Sequence, residues 1–267
     1  MSDPVTWATG VALACALYGL LVGQLVPVLI ARIPEPEPEA EREAERTPGA
    51  EPDPEPMPEA PAERPQAPPR EEGEVKELYA DIARRRGLRA GASLACAVVA
   101  GLLGGAVGWS PALGFLLYLV PVGVALAVVD WHTRRLPTAV IAPSYGVVAL
   151  MAAVAAWSEG DWGRLLGAAL GWAVAGGLFF ALWFIYPKGM GYGDVRLSGV
   201  LGIALGYLGW AELFVGLWTG FLIGAVGGLL LAGLRLFSRK AYPFGPFMLV
   251  GAVTGVVLGP YVGGWYA

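Results

Sequence analysis

Long apolar runs separated by short polar turns make up most of the chain, and one extended polar tract interrupts them near the N-terminus. A helix needs about 20 apolar residues to cross the hydrocarbon core of a bilayer. Eight runs approach that length, at 6–31, 91–108, 112–130, 138–157, 164–186, 195–210, 212–234 and 245–264. The pattern predicts an all-α polytopic membrane protein of about eight transmembrane helices. Between the first two runs, the stretch from Pro34 to Glu74 is built of Pro, Glu, Ala and Arg, with no aromatic or branched aliphatic residue. Such a composition buries too little surface to offset chain entropy, so a disordered acidic loop is expected over 33–74. Residues 75–90 follow, with Leu78, Ile82 and Leu88 on one helical face and an Asp81/Arg85 pair. They predict a short basic helix lying on the inner membrane surface. The chain is thus expected to divide into a first helix (1–32), the loop, this interfacial helix and a core of about seven helices (91–267).

Composition agrees with that class: 56% of residues are hydrophobic and the mean hydropathy is +0.57. The net charge of −4 averages two unlike regions. Residues 33–74 hold fourteen acids and four bases, leaving eight acids and fourteen bases elsewhere. If the N-terminus lies outside, Arg32, the Arg84–Arg89 cluster, Arg134, Arg135, Lys188, Arg196 and Lys240 all fall on the cytoplasmic side. Arg164 is then the one outer base, and both termini lie outside by the positive-inside rule. The first run has Asp3 and no base ahead of it, which suits an uncleaved helix better than a secretory signal. Trp7, Trp109, Trp157, Trp162, Trp210 and Trp265 all fall at expected outer ends, where amphipathic rings collect. A juxtamembrane arginine cluster of this kind suits anionic lipid as a partner, with no nucleic acid implied. Cys15 and Cys96 sit singly in apolar runs and read as buried small hydrophobes, with no metal site. The pairs Gly167/Gly171, Gly220/Gly224 and Gly224/Gly228 read as close helix packing.

The candidate chemistry lies in two carboxylates. Asp130 closes the run VPVGVALAVVD, and Asp194 opens the next inner-side run from KGMGYGDVRL. An aspartate at a helix centre costs about 3 kcal/mol on insertion scales and less near the boundary, so each needs a reason. Taken separately, Asp130 could pair with Arg134 and Asp194 could cap its own helix. The expected topology, however, brings both to one depth on one face. Two neighbouring carboxyls share a proton, so the charged one can draw a proton from water while the neutral one hydrogen-bonds a peptide carbonyl. Gly189, Gly191 and Gly193 are then expected to adopt positive φ or to admit a substrate chain closely. A phosphate-binding loop is excluded, since neither a βαβ unit nor GxxxxGK[ST] is present. His132 reads as a polar loop residue. Glu159, Asp161 and Glu212 read as solvated charges in outer turns.

At these residues the sequence resembles the type IV prepilin peptidases, polytopic aspartic proteases of the GxGD group. The likeness rests on GMGYGDVRL, on VVDWHTRRLP with Pro137 seven residues after Asp130, on YPFGPFMLVG, and on GQLVPVLIARIP at the end of the first helix. It implies Asp130 and Asp194 as catalytic residues, without a cofactor. Site-shaping roles are implied for Gly189, Gly191, Gly193, Arg196, Pro137, Pro243, Gly245 and Pro246. The implied activity is cytoplasmic-face removal of a basic leader from prepilins or pseudopilins, which carry an apolar helix after the leader. Localisation to the cell's inner membrane follows. Many members of that family carry a four-cysteine zinc segment after the first helix and methylate the new N-terminus; the acidic tract stands there in this chain, so no methyl transfer is assigned. Three other readings remain open: a GxGD protease cutting within membrane helices, a transporter with a carboxylate proton relay, and an inactive scaffold. Self-association is also left open.

Overall fold

The computed structural model describes residues 7–35, 78–187, 189–233 and 243–263, so the acidic tract from residue 36 onward lies outside the described part. Among the described residues every regular element is helical. Helix α1 (Thr9–Val22) passes through a 3-10 turn at Gly23–Leu25 into α2 (Val26–Ala31). Pro27 has no N–H to extend the α ladder, and the first span tightens just ahead of it. The chain continues with α3 (Tyr79–Ala83), α4 (Leu88–Val107), α5 (Ala112–Thr133), α6 (Thr138–Glu159) and α7 (Trp162–Ile185). It ends with α8 (Tyr192–Leu208), α9 (Trp210–Gly233) and α10 (Gly245–Gly263).

Among the described residues seven helices are long and apolar enough to cross a membrane, with α1 and α2 counted as one. The eighth expected span, α8, has 17 residues, or about 25 Å at 1.5 Å per residue. Its residues from Asp194 to Tyr207 are buried almost without exception. A helix apolar on every side belongs inside a bundle, and α8 packs against α5, α6, α7, α9 and α10.

The segment expected to form one helix over 75–90 is split, and residues 75–77 lie outside the described part. Gly87 adopts φ +86, a left-handed turn that a residue without Cβ makes at little cost. It redirects the chain from α3 into α4. Tyr79 and Ile82 on α3 are buried, so that short helix docks onto the bundle through its apolar side.

Lipid supplies no hydrophobic drive between helices, so association relies on close van der Waals fit. Glycine rows provide it. A Cβ on Gly206 of α8 would stand 2.8 Å from the Cα of Gly171 on α7, and one on Gly255 of α10 would stand 2.8 Å from the Cα of Gly216 on α9. Gly220 faces Gly251 on α10, whereas Gly224 faces the ring of Phe244. Cys15 and Cys96 are free and buried in the α1–α4 seam.

Successive helices run antiparallel. The Ala8 amide donates to the Gly105 carbonyl at 3.1 Å, joining the start of α1 to the end of α4. At that same end Tyr207 donates to Glu159 at 2.6 Å, Arg164 lies 3.7 Å from Glu159, and Asp161 accepts from the Gly163 amide at 3.0 Å. Glu159 and Asp161 therefore take partners and organise this end of the bundle. Trp7, Trp109, Trp157, Trp162 and Trp210 are exposed. Trp265 lies outside the described part.

Candidate functional site

The opposite end of the bundle holds both singled-out carboxylates. Asp130 sits one turn before the end of α5 and Asp194 lies in the first turn of α8; they are 4% and 7% exposed. Both line one basin of about 410 Å³. Its walls come from the end of the first helix (Pro34), from α3 (Tyr79), from the α5–α6 turn (Arg134 to Thr138) and from the α8 start (Gly191 to Gly193).

Each carboxylate is held by a backbone amide at a helix N-terminus. Gly191 is the N-cap of α8, which puts Asp194 at the third helical position. From there its side chain is turned back toward the Gly191 amide, the acidic half of a capping box whose N-cap is a glycine. Asp130 stands near the C-terminal end of its own helix, where the macrodipole disfavours an anion. Its partner comes from elsewhere: the amide of Gly245, first residue of α10, donates to Asp130 Oδ2 at 2.9 Å. Buried polar groups need such partners, and both carboxyls have one.

The turn between them is set by the chain after α5. Arg134 caps α5 in the left-handed region at φ 52 and donates its amide to the Asp130 carbonyl at 2.8 Å. Pro137, extended at ψ 122, then starts α6. Leu136 thereby comes against Gly193, where an added Cβ would stand 2.7 Å from Leu136 Cβ. The positive φ expected of these glycines is not adopted. Gly191 has φ −71, and the positive-φ glycines among the described residues are Gly87, Gly108, Gly160 and Gly209. Gly193 admits the neighbouring turn, and Gly189 admits the Tyr186 ring; neither contact needs a left-handed backbone.

The remaining singled-out residues fall around the basin. Arg196 lies over the Tyr192 ring at 4.7 Å and hydrogen-bonds Thr138, tying α8 to the start of α6. The Arg196 carbonyl accepts from Tyr145 at 2.7 Å. Pro243 is buried just ahead of Gly245, while Pro246 faces an apolar groove and not the basin. His132 belongs to α5, where its Nδ1 lies 2.8 Å from its own helix's Val128 carbonyl. Among the described residues no cluster of three His, Cys, Asp or Glu side chains could hold a metal ion.

Sequence reasoning missed Tyr79. It is 4% exposed, hydrogen-bonded to Thr133, and part of the basin wall. The only signal was its spacing of three from Ile82 on a short apolar face. Burial pushes its phenol above the ordinary value, so it stays protonated at neutral pH.

Comparison with known proteins adds to this geometry. The pattern of the type IV leader peptidase family matches residues 117–259. A prepilin leader peptidase/N-methyltransferase of Aeromonas hydrophila is 32% identical over 164 residues, covering 60% of this chain and 54% of that protein. Proteins of the same description match from Stutzerimonas stutzeri, 26% identical over 208 residues (71% and 64%), and from Bacillus subtilis, 32% identical over 162 residues (58% of each). The chain spans about half the length of the Aeromonas relative. No solved structure matches it.

Proposed function

The chain belongs to the type IV leader peptidase family, and from that premise we propose that it is a membrane aspartic endopeptidase removing the basic leader from prepilins or pseudopilins. The observation that carries this reading is the convergence of two buried carboxylates, Asp130 and Asp194, on one open basin. They are the catalytic pair. A water held between them gives a proton to the ionised carboxylate while its oxygen attacks the scissile carbonyl carbon. The protonated partner donates a hydrogen bond to the carbonyl oxygen as that oxygen gains charge. Collapse of the tetrahedral adduct breaks the C–N bond. The proton taken from water passes to the departing amine, which becomes the N-terminus of the mature pilin. The coupled pair titrates as a unit.

The basin faces the cytoplasm of a cell's plasma membrane, in keeping with the arginines Arg134 and Arg135 in its wall and with the positive-inside bias. Gly191 and Gly245 hold the carboxylates, and Gly193, Pro137 and Arg196 shape the turns around them. Arg84, Arg85, Arg86 and Arg89 meet anionic headgroups. Methyl transfer is not part of this reading. The test is cleavage of a basic-leader prepilin in membranes by the parent chain and by Asp130→Asn and Asp194→Asn. Each variant loses at least about 10²-fold in rate, the low end for general acid–base groups. Unimpaired cleavage by either variant overturns the assignment.

A further inference from the structure

An apolar groove of about 420 Å³ opens along the bundle between α4, α5, α8 and α10. On α5 its lining residues Leu116, Val120, Gly123 and Ala127 are spaced by four, three and four positions. The next step of three along the same face reaches Asp130. The groove therefore follows the α5 face that ends in the candidate carboxylate. On the α10 side it starts at Pro246, the residue after the Gly245 amide that binds Asp130. Its one polar lining group, Thr254, returns its hydroxyl to the Val250 carbonyl at 2.8 Å.

Polar basin and apolar groove thus meet at Asp130. From Ala127 to Asp130 the helix rises about 4.5 Å, the reach of one or two extended residues at about 3.3 Å each. From Leu116 to Ala127 it rises about 16 Å, roughly half the hydrocarbon core and three helical turns. Resting on the leader peptidase reading, we infer that this groove seats the apolar helix of the substrate, beginning one or two residues after the scissile bond. The basin takes the leader and the groove takes the mature segment. A chain that is polar before the cut and continuously apolar after it fits both at once. A substrate apolar on both sides of the cut would place uncharged residues against Arg134, Arg135 and the carboxylates.

The experiment uses full-length protein in phospholipid vesicles with a prepilin that carries a basic leader ahead of an apolar helix. The parent chain is first checked for cleavage; an uncut substrate overturns the peptidase reading and this inference with it. A benzophenone amino acid is then introduced at Leu102 or Val250, both on the groove, or at Leu229, exposed on the far face of α9. Each is combined with Asp194→Asn to hold uncut substrate. On irradiation, Leu102 and Val250 are expected to give adducts mapping to the first three turns of the substrate's apolar helix, and Leu229 none. Phospholipid adducts alone at the groove positions under saturating substrate, or equal substrate adducts at all three, overturn the inference. In the otherwise unaltered chain, Val250→Trp is expected to raise KM for the full-length substrate about tenfold with kcat within about threefold. An unchanged KM overturns it as well.

Discussion

The amide of Gly245 donates to Oδ2 of Asp130 at 2.9 Å across 115 positions of chain. An added Cβ at Gly245 would stand 2.8 Å from that same oxygen and 3.4 Å from Leu136 Cδ2. The start of α10 therefore both binds the carboxylate and fixes the direction in which it points.

Gly245→Ala should push the Asp130 carboxylate out of line without removing any ionisable group. Misplacement of about 1 Å costs on the order of 10²-fold in rate. The expected result is a fall of that size in kcat, with the helix content and membrane extraction behaviour of the parent. Parent-like kcat would show that the Gly245 contact does not orient the group.

Gly193 and Leu136 offer a coupled pair, since a Cβ on Gly193 would meet Leu136 Cβ at 2.7 Å. Gly193→Ala should slow cleavage by forcing the α5–α6 turn away from α8. Combining it with Leu136→Gly, which removes the Cβ it would strike, should recover part of the loss, giving an interaction energy of about 0.5–3 kcal/mol in the double-mutant cycle. Strict additivity would argue against the contact.

Tyr79 docks α3 through a buried phenol bonded to Thr133, and burial raises its pKa above the ordinary value. A folded-state pKa above the unfolded value of about 10 leaves the docking fully stabilised below pH 10 and weakens it as the pH rises further. Protease cutting at Arg84 to Arg86 should therefore be slow at neutral pH and accelerate above pH 10 beyond the enzyme's own pH response. Tyr79→Phe should abolish that extra acceleration. Tyr79→Ala should expose the same bonds at pH 7, at a cost of about 3–5 kcal/mol for a lost buried ring.

The acidic tract begins beside the basin. Glu35 accepts a hydrogen bond from the Ala80 amide at 3.2 Å, next to the wall residues Pro34 and Tyr79. Residues 33–74 carry ten more acids than bases, while the basin wall carries Arg134 and Arg135. Deleting residues 35–72 should raise KM for a basic-leader substrate roughly tenfold at low ionic strength through lost electrostatic attraction. The difference should shrink toward 1 M salt, where the screening length is about 3 Å. Equal KM values at low salt would dismiss the role.

Much of the architecture was legible before any coordinates, because crossing lipid constrains each segment by itself. Seven of the eight apolar runs form spans with ends near those expected, and Asp130 and Asp194 stood out as carboxylates that insertion disfavours. The helix expected over 75–90 was misjudged because helical spacing in Tyr79–Ala83 says nothing about a left-handed turn at Gly87. The glycines around Asp194 suggested positive φ, yet Gly191 has φ −71 and Gly193 makes room for Leu136.

Hydropathy and charge order are properties of one segment against its solvent, and from them the sequence by itself determined a helical membrane chain, its span order and its two suspect acids. Which residues meet depends on which helices become neighbours, a many-body outcome of close packing in a medium that favours no particular pair. Only the tertiary structure decided that α8 packs against α5, α6, α7, α9 and α10, that Gly245 holds Asp130, that Tyr79 walls the basin, and that an apolar groove on α5 ends at the carboxylate.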